Sequence, residues 1–228
     1  MCDALKVAVR GLLLVSLSLA GCGGGYGDQD EPYRATRAVF AYVANASSDA
    51  VSMHDLDRDA GTLGQAKASA PSGDGPVSVA AHPSGKFLYV ANFNAGEVSE
   101  FRIDPVTGAL TPLRTPFRTG ANRKSRFVAV HPSGRFAFVS TFLDGQGAGG
   151  VTAYAVNAQS GLLTPVGDAV PAGVSPGSLA IAPSGQFAYV VDTLIDGVWT
   201  FSIDAATGAL TNLNASEPVP AGAFPDAI

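Results

Sequence analysis

Phe40-Ala-Tyr-Val-Ala-Asn45, Phe87-Leu-Tyr-Val-Ala-Asn92, Phe136-Ala-Phe-Val-Ser-Thr141 and Phe187-Ala-Tyr-Val-Val-Asp192 are four versions of one hexapeptide. Their starts lie 47, 49 and 51 residues apart, and a near-fixed period of this size marks a repeat architecture. Ahead of the last three stand His82-Pro-Ser-Gly85, His131-Pro-Ser-Gly134 and Ala182-Pro-Ser-Gly185. Downstream of each comes a second signature: Asp57-Arg-Asp-Ala-Gly-Thr-Leu63, Asp104-Pro-Val-Thr-Gly-Ala-Leu110, Asn157-Ala-Gln-Ser-Gly-Leu-Leu163 and Asp204-Ala-Ala-Thr-Gly-Ala-Leu210.

The turn chemistry says what each unit builds. Pro-Ser-Gly pairs proline's fixed φ with a glycine that tolerates φ > 0, and Asp-x-x-x-Gly suits a short hairpin with glycine in the left-handed position. Phe-x-Tyr-Val alternates as a strand does, and no stretch keeps a 3.6-residue apolar period. Four short strands in a unit of about 49 residues describe a β-propeller blade. In the best-preserved unit these are A (76–81), B (87–92), C (97–103) and D (110–117). The fold expected is all-β, a propeller of four-stranded antiparallel blades with about four blades present. Nothing strand-like precedes Val39, so the chain is expected to start at a B strand. Phe224-Pro-Asp-Ala-Ile228 reads as the opening of a further A strand, and on that reading the blades belong to a truncated, larger ring rather than a closed four-bladed one.

Composition agrees with a folded, non-nucleic-acid protein. Apolar residues make up 46% and charged residues 14%, and the formal net charge is −5, too acidic to expect a nucleic-acid partner. Both cysteines fall within the first 22 residues, so neither disulfides nor a Cys-ligated metal is expected to hold the blades. Lys6 and Arg10 precede the apolar run 11–20, which is too short to span a bilayer as a helix (roughly 20 residues) and reads as a signal h-region. Leu19-Ala20-Gly21-Cys22 resembles the lipobox of bacterial lipoproteins. That resemblance implies a signal peptide over 1–21, acylation of Cys22, a polar tether over 22–37 and a propeller domain over 38–228. Localisation is then the cell envelope, with the membrane met only through the lipid on Cys22.

The Gly-x-x-Pro approach, Pro-Ser-Gly-x-Phe-x-Tyr-Val, and Asp-x-x-Thr-Gly-Ala-Leu-Thr together resemble the seven-bladed propeller lactonase family. Phe101-Arg-Ile-Asp-Pro-Val-Thr-Gly-Ala-Leu-Thr111 and Phe201-Ser-Ile-Asp-Ala-Ala-Thr-Gly-Ala-Leu-Thr211 carry the likeness most strongly. It implies a 6-phosphogluconolactonase-like hydrolase of a sugar-acid lactone without an obligatory cofactor; a Ca²⁺-dependent lactonase with oxygen ligands such as Asn92 and Asp192 is a further reading, but one Asp and one Asn make a poor cage, so no metal site is expected. The related YVTN-type surface propellers share Tyr-Val-Ala-Asn, and they imply instead a non-catalytic protein that binds a surface ligand, protein or glycan.

Candidate site residues follow from which loops share a face. D-to-A and B-to-C loops lie at one end of the blades, A-to-B and C-to-D turns at the other. At the first end the B strands close in Asn45, Asn92, Thr141 and Asp192, read either as ligand-binding groups around the channel mouth or as turn-starting residues. Asp192 is the one acid of the series, and the glycine-rich loop 142–150 adds Asp144. Arg123, Lys124 and Arg126 lie in the D-to-A loop of the same face. Lactone hydrolysis needs a base to activate water and a donor for the developing oxyanion. Asp192 or Asp144 with Arg126 is the candidate catalytic set, and Arg123 and Lys124 would draw an anionic substrate. Arg126 occupies the arginine place of the family's Gly-Pro-Arg-His pattern, with Phe127 where the histidine would stand. His82 and His131, one per blade, read as structural, and His54 as a core or inter-blade residue.

Overall fold

The computed structural model describes residues 17–20, 39–57, 59–143, 147–214 and 217–228. Cys22, the tether and Asp144 lie outside them.

Four antiparallel sheets follow one another along the chain, and each is a blade. Blade one is β1 (Leu17–Ala20), β2 (Val39–Asn45), β3 (Ala50–Leu56) and β4 (Leu63–Pro71). Blade two is β5 (Pro76–Ala81), β6 (Phe87–Asn92) and β7 (Glu97–Ile103), with β8 (Leu110–Pro112) and β9 (Phe117–Arg118) both pairing β7. Blade three repeats this with β10 (Arg123–Val130), β11 (Phe136–Leu143), β12 (Gly147–Val156), β13 (Leu163–Pro165) and β14 (Val170–Pro171). Blade four does so with β15 (Pro176–Ile181), β16 (Phe187–Asp192), β17 (Gly197–Ile203), β18 (Leu210–Asn212) and β19 (Val219–Pro220). The A strands β5, β10 and β15 touch in sequence and line the inside of the arc.

Strands A, B and C of blade two match the sequence reading residue for residue. The D strand does not, because it breaks between Pro112 and Phe117. Prolines cannot donate to a ladder. The D segments of blades two and three contain Pro112 and Pro116, then Pro165 and Pro171. That of blade one reaches Pro71 without one and stays whole. The expectation that nothing strand-like precedes Val39 is also corrected. Leu17–Ala20 pairs antiparallel with β2, from Leu17↔Val43 to Ala20↔Phe40. It thereby occupies the innermost place of blade one, where the main-chain groups of β2 would otherwise lack a partner. Phe224–Ile228 form no strand.

The core lies between blades. Phe40, Tyr42 and Met53 of blade one pack with Val79, Val90 and Phe101 of blade two. Tyr89 and Val98 meet Val139, Tyr154 and Leu163, and Phe138 and Ala153 meet Leu179, Trp199 and Phe201. His54 departs from its expected place. Its counterparts Phe101, Tyr154 and Phe201 are at most 1% exposed, whereas His54 is half-buried and bonds Ser52 Oγ and the Gly64 carbonyl within its own blade.

His82 and His131 join blades. Their Nε2 atoms lie 2.7 and 2.8 Å from the carbonyls of Gly134 and Gly185 in the next blade. Their Nδ1 atoms accept from the amides of Ser84 and Ser133. A carbonyl on one side and an amide on the other require the Nε2–H tautomer.

Candidate functional site

The A strands carry a feature that the sequence does not display. Each loses register at the same place: between Pro76 and Ser78 in β5, Ser125 and Phe127 in β10, and Pro176 and Leu179 in β15. Such bulges add a residue and turn its side chain away from the ladder. In β5 the extra residue is Val77 and in β15 the irregularity holds Gly177 and Ser178. In β10 it is Arg126.

The bulge turns Arg126 toward blade four. Nη1 donates to Ser175 Oγ at 2.8 Å and to Thr193 Oγ1 at 3.4 Å. Arg123, at the head of β10, stays within blade three and donates from Nη1 to Thr141 Oγ1 at 3.1 Å. Lys124 leans the other way, its Nζ donating to the Asn94 carbonyl of blade two at 2.8 Å. Beside it the rings of Phe93 and Phe142 stack across blades two and three, with centroids 5.9 Å apart and planes within 5°. All three cations are half-buried. Among the described residues neither Arg123 nor Arg126 meets a carboxylate, whereas Arg114 and Arg118 pair with Glu100 and Glu97. Two partly desolvated guanidiniums with hydroxyl neighbours and no acid form a setting that favours an anion.

The polar residues closing the B strands are placed differently from groups offered to a ligand. Asp192 is fully buried. Its Oδ2 accepts from Val174 N at 2.6 Å and Ser175 N at 3.2 Å, and its Oδ1 from Leu194 N at 2.9 Å and Ile195 N at 3.3 Å. These amides come from both loops of the face, so the carboxylate ties the D-to-A loop to the B-to-C turn. Its lone pairs are taken up by main chain rather than held free for a water. Asn92, also fully buried, donates to Ser99 Oγ and accepts from Ser72 Oγ, each at 2.8 Å. Asn45 Nδ2 bonds the Val43 carbonyl and Ser52 Oγ. Thr141 Oγ1 donates to the Gly150 carbonyl at 3.4 Å and alone of the four also touches a cation. Gly173 shows how closely the loop covers Asp192: a Cβ there would overlap the carboxylate and come within 2.7 Å of Trp199 Nε1.

Thus the structure joins Arg123 to Thr141 within blade three and Arg126 to Ser175 and Thr193 of blade four, and it buries Asp192 as a loop anchor. Ser175, Thr193, Phe93 and Phe142 join the site without having been singled out. The last three do carry a signal, since each is the residue directly after a B-strand hexapeptide. Among the described residues no three His, Cys, Asp or Glu stand close enough together to hold a metal ion, and no helix is long and apolar enough to cross a membrane.

A family model described as "Lactonase, 7-bladed beta-propeller" matches residues 35–124 and 119–224. No curated protein matches. Among solved structures, a provisionally assigned 6-phosphogluconolactonase of Bacteroides fragilis is 23% identical, with 84% of this chain and 53% of that one covered and a TM-score of 0.69. A second such protein, from Bacteroides uniformis, is 23% identical, with 81% and 52% covered and a TM-score of 0.68. The periplasmic gluconolactonase of Pseudomonas aeruginosa is 22% identical, with 82% and 52% covered and a TM-score of 0.68. The chain spans about half the length of these structures, and likeness at such identity establishes the shared fold.

Proposed function

The chain belongs to the seven-bladed β-propeller lactonase family, and from that premise we propose that it hydrolyses a sugar-acid lactone at the Arg126 end of the arc. The observation that carries this reading is Arg126 itself. It is the charged side chain on an A-strand bulge, half-buried, held by Ser175 and Thr193, and without an acidic partner among the described residues. In lactone hydrolysis water adds to the carbonyl carbon, the carbonyl oxygen takes up negative charge, and the ring C–O bond breaks to give a hydroxy acid. A preorganised cation at the developing oxyanion lowers the barrier more than the ground state. Arg126 fills that role, and Arg123 and Lys124 favour lactones that carry an anionic group, such as the phosphate of 6-phosphogluconolactone, over neutral ones. Asp192 acts here by fixing the amide of Ser175, whose hydroxyl receives Arg126. The base that activates water is assigned to Asp144. On this reading residues 1–21 are a signal peptide, whose removal takes β1 from blade one and frees the inner edge of β2 for another strand, and Cys22 carries the lipid that holds the protein in the cell envelope.

The test is hydrolysis of 6-phosphogluconolactone above its spontaneous rate. Arg126→Ala is expected to lower turnover about 10²–10³-fold, the range for loss of one oxyanion donor. Its stability should change by less than about 1 kcal/mol, because the side chain stands on the face rather than in a core. Unchanged turnover overturns the assignment.

A further inference from the structure

The residue directly after each B-strand hexapeptide stands at the same place of its blade, at the end where Arg126 lies. In blades one to four it is Ala46, Phe93, Phe142 and Thr193. In blade order Phe142 thus stands between Phe93, on which it stacks, and Thr193, whose hydroxyl receives Arg126. A joint does not need two rings at this place. Ala46 comes before Phe93 in the series and Thr193 comes after Phe142, so the joints on either side are built without an aromatic pair there. The stack is an addition to the frame, made where the cations are.

The geometry of the pair leaves room for a third ring. Its planes lie within 5° and its centroids 5.9 Å apart. Carbons in full contact are roughly 3.5–4 Å apart, so the rings are displaced sideways and each leaves part of a face uncovered. The other ring pairs of the described residues meet at 58° or more. Both phenylalanines are half-buried. Lys124 is the cross-strand neighbour of Phe142, and directly opposed residues carry their Cβ atoms about 4.5–5.5 Å apart on one face of a sheet. Its Nζ rests on the carbonyl of Asn94, the residue after Phe93, at 2.8 Å. An ammonium therefore lies beside the ring pair, with Arg123 one residue before it in β10.

We propose that the Phe93–Phe142 pair is a sugar-ring subsite: the uncovered part of the Phe142 face takes the C–H face of a closed sugar ring, and Lys124 with Arg123 takes its phosphate. A closed ring turns several C–H bonds to one side, which makes that side apolar, and the negative face of an aromatic ring attracts such hydrogens. The inference rests on the lactonase reading for its class of ligand, and adds that the closed ring is itself recognised. Charge alone would favour the product, because opening the lactone creates a carboxylate beside the cations. The aromatic face works the other way, since the open-chain product no longer has a flat side to lay on it. Substrate is thereby held by its ring, and product is released when the ring is lost.

Titration calorimetry of the full chain in mild detergent tests this by comparing glucose 6-phosphate with glucitol 6-phosphate, its open-chain counterpart of equal charge. The closed ring is expected to bind about 2–10-fold more tightly, the range for one aromatic contact. Phe142→Leu keeps apolar bulk without the flat face and is expected to bring the two affinities together, whereas Phe142→Tyr keeps them apart. Inorganic phosphate should bind the wild-type chain and Phe142→Leu alike, because the cations are untouched. Circular dichroism checks the strands, and if leucine costs the fold, Phe142→Met repeats the experiment. Equal affinities in the wild-type chain, no binding of glucose 6-phosphate, or a ring preference that survives in Phe142→Leu overturns the proposal. Hydrolysis of 6-phosphogluconolactone is followed in parallel. A ring preference without hydrolysis would sink the lactonase reading and keep the subsite, and hydrolysis without a ring preference would do the reverse.

Discussion

The joint between blades two and three is charged where the joint between blades three and four is apolar. In blade two Glu100 is 1% exposed. It accepts from the Leu163 amide across the joint at 2.6 Å and pairs with Arg114, whose Nη2 also donates to the Leu163 carbonyl at 3.0 Å. The same places in blade three are Ala153 and Gly167, and the main chain there repeats the bond that Leu113 N makes to the Glu100 carbonyl, as Val166 N to the Ala153 carbonyl. Blade four again differs, with Thr200 and Asn214 joined main chain to side chain at 2.5 Å. One backbone frame thus accepts an ion pair, a small apolar pair or an amide. The frame follows from strand and turn geometry, so the charge at the first joint is an addition to it rather than its cause.

The sharpest way to break this comparison is Arg114→Ala. It leaves Glu100 buried without its cation, and a loss of about 3–5 kcal/mol is expected in urea unfolding, the range for an orphaned buried charge. The double variant Glu100→Ala/Arg114→Ala imitates blade three and is expected to lose less than the single one, since no charge is then left buried and what is lost is the two bonds to the Leu163 amide and carbonyl. A double variant weaker than Arg114→Ala would show the charge to be required. Next in size, His131→Ala should cost about 2 kcal/mol by leaving the Gly185 carbonyl unpaired in a buried setting. His82→Ala should cost less, because that ring is half-buried; equal losses would remove the distinction.

Tyr89→Phe is expected to cost about 1 kcal/mol, one buried hydrogen bond, and to make blade two resemble blade three, where Phe138 already stands. Burial raises the Tyr42 and Tyr89 phenols well above their ordinary value and pushes Tyr154 up to about 12. Raised values mean that the stability they confer is whole below pH of about 10 and is lost as pH climbs through the folded values. Absorbance titration should therefore show these three of the six tyrosines ionising late or only on unfolding. The smallest effect is at the exposed turns. The Thr107 and Thr207 amides, then their hydroxyls, hold the Asp104 and Asp204 carboxyls below the ordinary carboxylate range. The turns should keep their contribution above that range and lose it as acid takes the pH through the lowered values, followed by carboxyl NMR shifts. Thr107→Val should bring Asp104 back toward its ordinary value.

Much of this architecture was legible in the residues. Pro-Ser-Gly and Asp-x-x-x-Gly act on their own neighbours, and strand alternation is local, so β5, β6 and β7 could be bounded from sequence alone. The D-strand breaks of blades two and three were legible too, in prolines that cannot donate to a ladder, whereas the break after Asn212 in blade four precedes any proline and was not. The innermost strand of blade one was not, because Leu17–Ala20 pairs with β2 across a sequence gap that no periodicity bridges. At the site, Arg123, Lys124 and Arg126 were visible as a basic cluster, although they lie within β10 and not in the D-to-A loop where the sequence had put them. What each one faces was not.

The sequence by itself determined the repeat, the four-stranded blade and the family, since these rest on short-range turn and strand chemistry copied along the chain. Only the tertiary structure decided which copied polar residues serve the joints and which stand at the site. His82 finds Gly134, Asp192 finds the amides of two loops, and Arg126 finds Ser175 and Thr193. Several of those partners lie about one repeat away. Distance along the chain hides them, and the packing of one blade on the next brings them within hydrogen-bond reach.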